Sequence, residues 1–229
     1  MLKVAIIIPS LRVGGAENMV AQLVSHVDKS RCNIRLFVLS SRVNTHITTY
    51  LEKQNTDIVY FNNSGVNYQT IVKLYQELNR FKPDVLHTHL YAFAFAFPWV
   101  LTHRIKMIHT IHSRPIYELS PKSQKLLKIL YRLNIVAPVA ISEQICEEAR
   151  QLYPVKNIDM IYNPVDVNRF HVPDRIYERK TPVFITAGRL EKVKNQELLL
   201  RAFSDISKKY PGIKLIIAGA LVLGNPIFL

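Results

Sequence analysis

The sequence predicts an α/β protein built on a doubly wound parallel sheet. Apolar runs of strand length alternate with segments of helical period from the first residues onward, which is the pattern of parallel strands covered by helices on both faces. The 229 residues are 48% hydrophobic and 21% charged, values typical of a folded chain. A chain of this length accommodates one large domain or two smaller ones.

Each predicted element follows from its local pattern. Seven apolar runs in the first part of the chain are predicted strands: residues 4–8, 34–39, 58–61, 85–88, 106–109, 139–141 and 159–161. Amphipathic segments between them predict four helices: residues 18–27, 68–81, 122–133 and 143–152. Ser142 stands directly before the last helix and is expected to cap its N-terminus.

The second part of the chain is predicted to be a separate unit. Periodicity disappears over residues 163–180, where prolines and clustered charges indicate a linker. A strand at 183–187, a helix at 196–209 and a strand at 214–218 follow. We expect one domain over residues 1–171, then the linker and the beginning of a second domain over 172–229. One such unit buries too little surface to fold alone, so we expect that it adds onto the first domain or that the chain is truncated.

Composition and charge restrict the partner and the compartment. The formal net charge of +13 favours an anionic partner: nucleic acid, phospholipid headgroups or a phosphorylated small molecule. Nucleic acid is disfavoured because the cations are scattered and no recognition motif accompanies them. Cys32 and Cys146 form no disulfide framework or Cys-x-x-Cys pair, so a reducing cytosol fits best. No signal peptide is expected, and the apolar run at 91–101 is about half of the ~20 residues that a membrane crossing needs.

The first candidate site is the loop between the first strand and the first helix, which contains Gly14 and Gly15. Two glycines there allow positive φ and a close ligand approach, while the helix N-terminus directs free N–H groups at an anion. The alternative is a tight turn that needs glycine for geometry alone. The loop is not Gly-x-Gly-x-x-Gly, and no carboxylate follows the second strand to hold a ribose, so a dinucleotide cofactor is disfavoured.

The second candidate is the basic loop at 188–195, again between a strand and a helix. Arg189 can bind a pyrophosphate through its planar fork, and Lys194 can bind it as a point charge. The alternative is a solvated basic turn. Position at the carboxyl end of a parallel strand favours the binding site.

Four histidines at or just past strand ends form the third candidate: His87, His89, His109 and His112. They could ligate a metal, but no carboxylate or cysteine accompanies them at ligand spacing, so we expect no metal. His87 and His109 are expected to be core residues with satisfied hydrogen bonds. His112, which lies in a loop, is expected to face a substrate.

The helix at 122–133 is the fourth candidate. Leu126, Ile129, Leu130 and Leu133 are predicted to share one side of it. Lys125, Lys128 and Arg132 lie on an adjoining side, and Lys122 is a further cation of the same helix. A basic amphipathic helix is typical of contact with an anionic membrane surface. The alternative is an ordinary surface helix whose leucines pack into the core.

Five ordered motifs together resemble the family 4 glycosyltransferases: residues 14–17, 83–89, 161–166 with Arg169 and Phe170, 188–190, and 194–195. The resemblance covers residues 4 to about 219. It implies the GT-B fold, in which two Rossmann-like domains face each other across a cleft. It also implies transfer of a sugar from a nucleotide-sugar, UDP- or GDP-linked, with retention of anomeric configuration and no other cofactor.

The resemblance further implies roles for individual residues. Gly14 and Gly15 correspond to the loop near the donor phosphates, and Gly15, Glu17 and His112 to the acceptor side. Arg189 and Lys194 resemble the pair that neutralises the leaving diphosphate, and His112 the histidine that meets the donor sugar. A surface polysaccharide or a glycolipid is the expected acceptor, and the cytoplasm, including the inner face of its membrane, the expected location.

The end of the chain departs from the family pattern. The family's two glutamates, eight positions apart, lie beyond the strand that ends near Gly219, and residues 220–229 are uncharged and apolar. We therefore expect an acceptor-side domain without a full donor site. The alternative function is a non-catalytic fragment that binds an anionic membrane or a protein partner.

Overall fold

The computed structural model describes residues 1–63, 67–153, 155, 157–168 and 181–219. The chain divides into two compact units, Met1–Phe170 and His171–Leu229. Most of the predicted linker, Arg169 and Phe170, and residues 220–229 lie outside the described residues.

The first unit contains a seven-stranded sheet, and all of its strand pairs are parallel. Its strands are β1 (Leu2–Ile8), β2 (Cys32–Ser40), β3 (Ile58–Asn63), β4 (Val85–His89), β5 (Lys106–Ile111), β6 (Val136–Ala140) and β7 (Asp159–Met160). They are ordered β3-β2-β1-β4-β5-β6-β7. The order reverses between β1 and β4, so the predicted doubly wound, Rossmann-like sheet is confirmed.

Seven α-helices connect the strands of the first unit within the described residues. They are α1 (Gly15–His26), α2 (His46–Lys53), α3 (Tyr68–Phe81), α4 (Phe93–His103), α5 (Pro115–Glu118), α6 (Pro121–Arg132) and α7 (Glu143–Leu152). Ser142 caps α7 as predicted, because its Oγ accepts the N–H of Ile145 at 3.3 Å. Among these helices none combines the length and apolar content that a bilayer crossing requires.

The two faces of the sheet carry separate cores, as alternation along a strand dictates. Ile6 and Ile8 of β1 pack with α1 and α2 on one face. Ile7, the residue between them, packs on the other face with α3, α4, α6 and α7. Helices therefore cover both faces and leave the carboxyl ends of the strands as the open edge.

The structure differs from the sequence prediction in several elements of this unit. Helix α1 begins at Gly15 and the sixth strand at Val136, each three residues before the predicted start, and α2, α4 and α5 were not predicted. Helix α4 is apolar on most sides and buries Phe93, Phe95 and Trp99, so it has no polar face to mark a helical period.

The second unit is a parallel β-α-β arrangement. It comprises β8 (Val183–Ala187), α8 (Gln196–Lys209) and β9 (Lys214–Ala218), with the bounds that the sequence predicts. The two strands pair in register from Val183 with Lys214 to Ala187 with Ala218.

Candidate functional site

The candidate site of the first unit lies at the carboxyl ends of β1, β4 and β5. Open α/β sheets bind ligands at this edge, at the point where the strand order reverses. The loop after β1 leads to Gly14 and Gly15, β4 ends at His89, and His112 directly follows β5. Strand order therefore assembles three sequence-distant segments at one edge of the sheet.

The two glycines of the loop do not adopt the positive φ that the sequence suggested. Gly14, the N-cap of α1, is extended with φ −164° and ψ 169°, and Gly15 is absent from the positive-φ residues. A Cβ on Gly14 would instead fall on the carboxylate of Glu17, whereas a Cβ on Gly15 would meet nothing within 4 Å. A Cβ at position 14 would therefore require the end of the Glu17 side chain to shift, whereas the space above Gly15 is open.

Glu17 lies in the first turn of α1 and is buried, with 9% of the residue exposed. A carboxylate at this position interacts favourably with the positive end of the helix dipole. Asn18 completes the turn, since its backbone N–H and its side-chain amide both donate to the Gly14 carbonyl, at 3.1 and 2.9 Å.

His112 is held by a carboxylate that the sequence analysis did not identify. The carboxyl of Glu118, the last residue of α5, accepts the backbone N–H of His112 at 3.0 Å and that of Ser113 at 3.0 Å. Burial raises the pKa of Glu118 to about 7, although these N–H groups act to lower it. The only signal in the sequence is one acidic residue among apolar neighbours.

Two of the four histidines have threonine partners on neighbouring strands. His87 Nε2 lies 2.7 Å from Thr110 Oγ1, and His109 Nδ1 lies 3.1 Å from Thr88 Oγ1. Burial lowers the pKa of His87 to about 4 and that of His109 to about 3. His109 is a core residue as expected, but its Nε2 is buried without a hydrogen-bond partner, and His87 is only partly buried.

The other two histidines contact each other. His89 Nδ1 and His112 Nε2 lie 2.9 Å apart, with ring centroids separated by 5.1 Å. Burial lowers the pKa of His112 to about 4 and lowers that of His89, so both rings are neutral at pH 7. No cluster of three metal-ligating side chains is found among the described residues.

The predicted cations of the second unit lie where β8 ends. Arg189 pairs with Glu191 at 3.0 Å, while 49% of its side chain remains exposed. Lys194 ends a short 3₁₀ turn, and its Cε would lie 3.9 Å from a Cβ on Gly188. Both cations therefore lie at the carboxyl end of a parallel strand.

At this end of the second unit the backbones of the two strand ends approach each other closely, which the sequence did not predict. The Gly188 N–H donates to the Ala218 carbonyl at 2.9 Å. A Cβ on Gly219 would overlap the Gly188 carbonyl oxygen, so glycine is required at position 219 to let the two strand ends meet.

Helix α6 presents its cations to solvent but buries a different apolar set from the one predicted. Leu127, Leu130 and Tyr131 are buried, whereas Ile129 and Leu133 are 47% and 62% exposed. Of the four predicted apolar residues, only Leu130 is fully buried. The face of α6 that packs against the sheet is rotated by about one residue from the predicted face. The exposed basic residues are Lys122, Lys125, Lys128 and Arg132.

Comparison with protein families matches both parts of the chain. Residues 13–169, more than half of it, match Glycosyltransferase Family 4, and residues 171–225 match Glycosyl transferases group 1. A comparison with curated proteins found no match.

Solved structures share the fold at low sequence identity. A glycosyltransferase from Rickettsia africae ESF-5 aligns with TM-score 0.74 and 16% identity over 95% of this chain and 60% of that chain. Sucrose-phosphate synthase from Thermosynechococcus elongatus aligns with TM-score 0.72 and 13% identity over 99% and 64%. A variant of TarM from S. aureus aligns with TM-score 0.71 and 11% identity over 98% and 73%.

At these identities the structural likeness shows the fold alone, and the chain spans less than two thirds of the first two structures. The family matches carry the assignment, and the strand order agrees with it. The chain belongs to glycosyltransferase family 4.

Proposed function

We propose that this chain acts in the transfer of a sugar from a UDP- or GDP-linked donor to a polysaccharide or glycolipid acceptor, with retention of configuration. The observation that carries the proposal is the match of residues 13–169 and 171–225 to two glycosyltransferase families. The S. aureus TarM variant with the same fold was solved with UDP and alpha-GlcNAc-glycerol, which supports a nucleotide donor. Surface polysaccharide biosynthesis is the proposed process.

The chemistry requires a site for a leaving nucleoside diphosphate. Cleavage of the sugar–phosphate bond builds negative charge on the departing oxygen, and fixed cations stabilise that charge most when they need not reorganise. Glu191 holds the Arg189 guanidinium at the end of β8, and Lys194 lies beside Gly188. The proposal therefore assigns diphosphate binding to Arg189 and Lys194, with the nucleotide-sugar as co-substrate and no other cofactor.

The edge of the first unit is assigned to the donor phosphates, the donor sugar and the acceptor. The open space above Gly15 allows a ligand to approach the first turn of α1, where free N–H groups favour an anion. His112 is neutral and half-buried, so it can exchange a hydrogen bond with a hydroxyl without repelling or attracting charge. Gly15, Glu17 and His112 are the proposed acceptor-side residues.

Calorimetric titration of the purified chain with UDP and with GDP tests the diphosphate site. Arg189→Ala and Lys194→Ala should each weaken binding by roughly 1.5–3 kcal/mol, the value of a hydrogen bond to a charged group. Arg201→Ala is the matched control, because Arg201 lies in the same unit on the exposed side of α8, paired with Glu197. Equal affinity of all three variants and the wild type would remove Arg189 and Lys194 from the site.

A second candidate function, binding to an anionic membrane surface, is favoured by the surface of α6. Four exposed cations stand beside the exposed side chains of Ile129 and Leu133, and an interfacial helix combines these two features. This would place the protein in the cytoplasm, peripherally at the inner face of the membrane.

Sedimentation with anionic and with neutral vesicles at low and high salt tests this second function. Binding should require anionic lipid and should fall with salt, since each Lys or Arg near the surface contributes about 1 kcal/mol. Replacing Lys125 and Lys128 by serine should weaken binding, whereas the same change at Lys208 and Lys209 of α8 should not. Absence of binding at both salt concentrations would leave α6 as an ordinary surface helix.

A further inference from the structure

The His89–His112 pair has more nitrogen atoms than hydrogen-bond partners. The two rings share one hydrogen bond, between His89 Nδ1 and His112 Nε2. The remaining nitrogens, His89 Nε2 and His112 Nδ1, are both buried and have no partner. A neutral imidazole carries one N–H, and the nitrogen that does not donate is an acceptor.

Only two arrangements of protons satisfy this geometry. If His112 donates from Nε2, the N–H of His89 is at Nε2, where it has no acceptor. If His89 donates from Nδ1, the N–H of His112 is at Nδ1, where it also has no acceptor. In each arrangement one buried N–H is left without a partner, which is costly for a protein.

Burial distinguishes the two arrangements. His89 has no exposed surface, and its ring packs against the His87 ring with centroids 4.2 Å apart. An N–H at His89 Nε2 would be out of reach of any ligand. His112 Nδ1 is covered as well, but His112 as a residue is half-buried and lies in the loop at the ligand-binding edge of the sheet. A ligand that displaces the atoms covering this loop therefore reaches His112 Nδ1, whereas it does not reach His89 Nε2.

We propose that His89 is a positioning residue that donates its Nδ1–H to His112 Nε2 and thereby holds His112 as an Nδ1–H donor toward a hydroxyl or ring oxygen of a bound sugar. The proposal rests on the proposed function, because the sugar belongs to the nucleotide-sugar donor.

The surroundings of the pair support a neutral relay. The titratable groups near it are His87 and His109 on the same two strands and Glu118, which binds the His112 backbone N–H. Burial lowers the pKa of both rings, so the shared proton stays between two neutral groups.

The test reads the tautomer directly, without any ligand. Two-bond proton–nitrogen correlation spectra of the ¹⁵N-histidine-labelled chain distinguish an Nδ1–H from an Nε2–H ring. The His112 signals are identified as those that are absent from the spectrum of His112→Gln. In the wild type these signals should have the pattern of an Nδ1–H ring. His89→Leu should convert it to the Nε2–H form that free histidine favours, whereas His89→Asn, whose amide can donate from the position of Nδ1, should preserve it.

His109→Asn is the matched control, because His109 is equally buried on β5 but bonds Thr88 instead of His112. It should leave the His112 tautomer unchanged. An Nε2–H form of His112 in the wild type would overturn the proposal, and so would an unchanged tautomer in folded His89→Leu. If His89→Leu does not fold, the wild-type spectrum and His89→Asn still decide.

A binding measurement separates this proposal from the proposed function. His89→Leu should weaken UDP-sugar binding about three- to tenfold, the effect of one neutral hydrogen bond. It should leave UDP affinity unchanged, and His89→Asn should restore the wild-type value. A wild type that binds no nucleotide-sugar contradicts the proposed function but leaves the tautomer result standing. Equal loss of UDP and UDP-sugar affinity contradicts the sugar-directed role of the pair.

Discussion

Replacing His109 by asparagine tests whether buried neutral histidines make this fold sensitive to acid. His109 is fully buried on β5, and its ring packs edge-on against Phe93. Its Nδ1 lies 3.1 Å from the Thr88 hydroxyl. Asparagine places an amide near the position of Nδ1, so it can keep the threonine contact, but it does not titrate.

The size of the effect follows from the change in pKa on folding. Burial lowers the pKa of His109 from 6.5 in a solvated chain to about 3. The unfolded chain therefore binds a proton at a higher pH than the folded chain, and stability falls as pH drops below 6.5. Between pH 7 and pH 5 this one group should remove about 2 kcal/mol from the free energy of unfolding.

Urea denaturation followed by circular dichroism, at pH 7 and pH 5 and constant ionic strength, measures the effect. The cavity left by the smaller side chain is present at both pH values, so its cost cancels when the pH-induced changes of wild type and His109→Asn are compared. The wild type should lose about 2 kcal/mol more than the variant. Equal losses in the two proteins would show that His109 titrates normally and is not buried as described.

Three further predictions concern stability. Burial raises the pKa of Glu118 to about 7, so the folded chain binds the carboxyl proton more tightly than the unfolded chain does. The free energy of unfolding should therefore fall by about 2 kcal/mol between pH 5 and pH 8 in the wild type but not in Glu118→Gln. Equal pH dependence of the two proteins in urea denaturation would contradict this. Leu127→Ala, on the buried side of α6, should lower the free energy of unfolding by about 2–5 kcal/mol, and Leu133→Ala should lower it by less than about 0.5 kcal/mol. Similar losses in the two variants would mean that α6 is oriented differently. Gly219→Ala should lower the free energy of unfolding by about 2 kcal/mol or more, because the new Cβ would overlap the Gly188 carbonyl oxygen. Gly188→Ala is the control, since a Cβ there makes only an ordinary van der Waals contact. Equal thermal stability of the two variants would refute the close approach.

The sequence predicts elements best where periodicity and capping agree. Helix α3 has the predicted bounds because its apolar residues keep a helical period and Asn67 caps it through the N–H of Thr70. Helix α4 was missed because burial on most sides removes the polar face that would reveal the period. Local pattern thus identifies half-buried elements more readily than fully buried ones.

The candidate site could be predicted in location but not in detail. Parallel topology places strand ends at one edge, so Gly15 and His112 could be assigned there from the chain order alone. The pairing of His89 with His112 requires knowing that β4 and β5 are neighbours and which ring atoms meet. The sequence suggested a positive φ at Gly14, but its backbone is extended and its nearest neighbour is the end of the Glu17 side chain, a contact that only the three-dimensional structure shows.

Proton NMR of the purified chain incubated with UDP- and GDP-linked sugars tests the central claim most directly. With water as the acceptor, the anomeric proton of the donor should disappear as nucleoside diphosphate is released, and the free sugar that forms first should have the anomeric configuration of the donor. Arg189→Ala should slow this release, because it removes a cation from the leaving group. A folded chain that leaves every nucleotide-sugar intact would contradict sugar transfer by this chain itself and would agree with the expected incomplete donor site. Formation of the inverted anomer first would contradict retention of configuration.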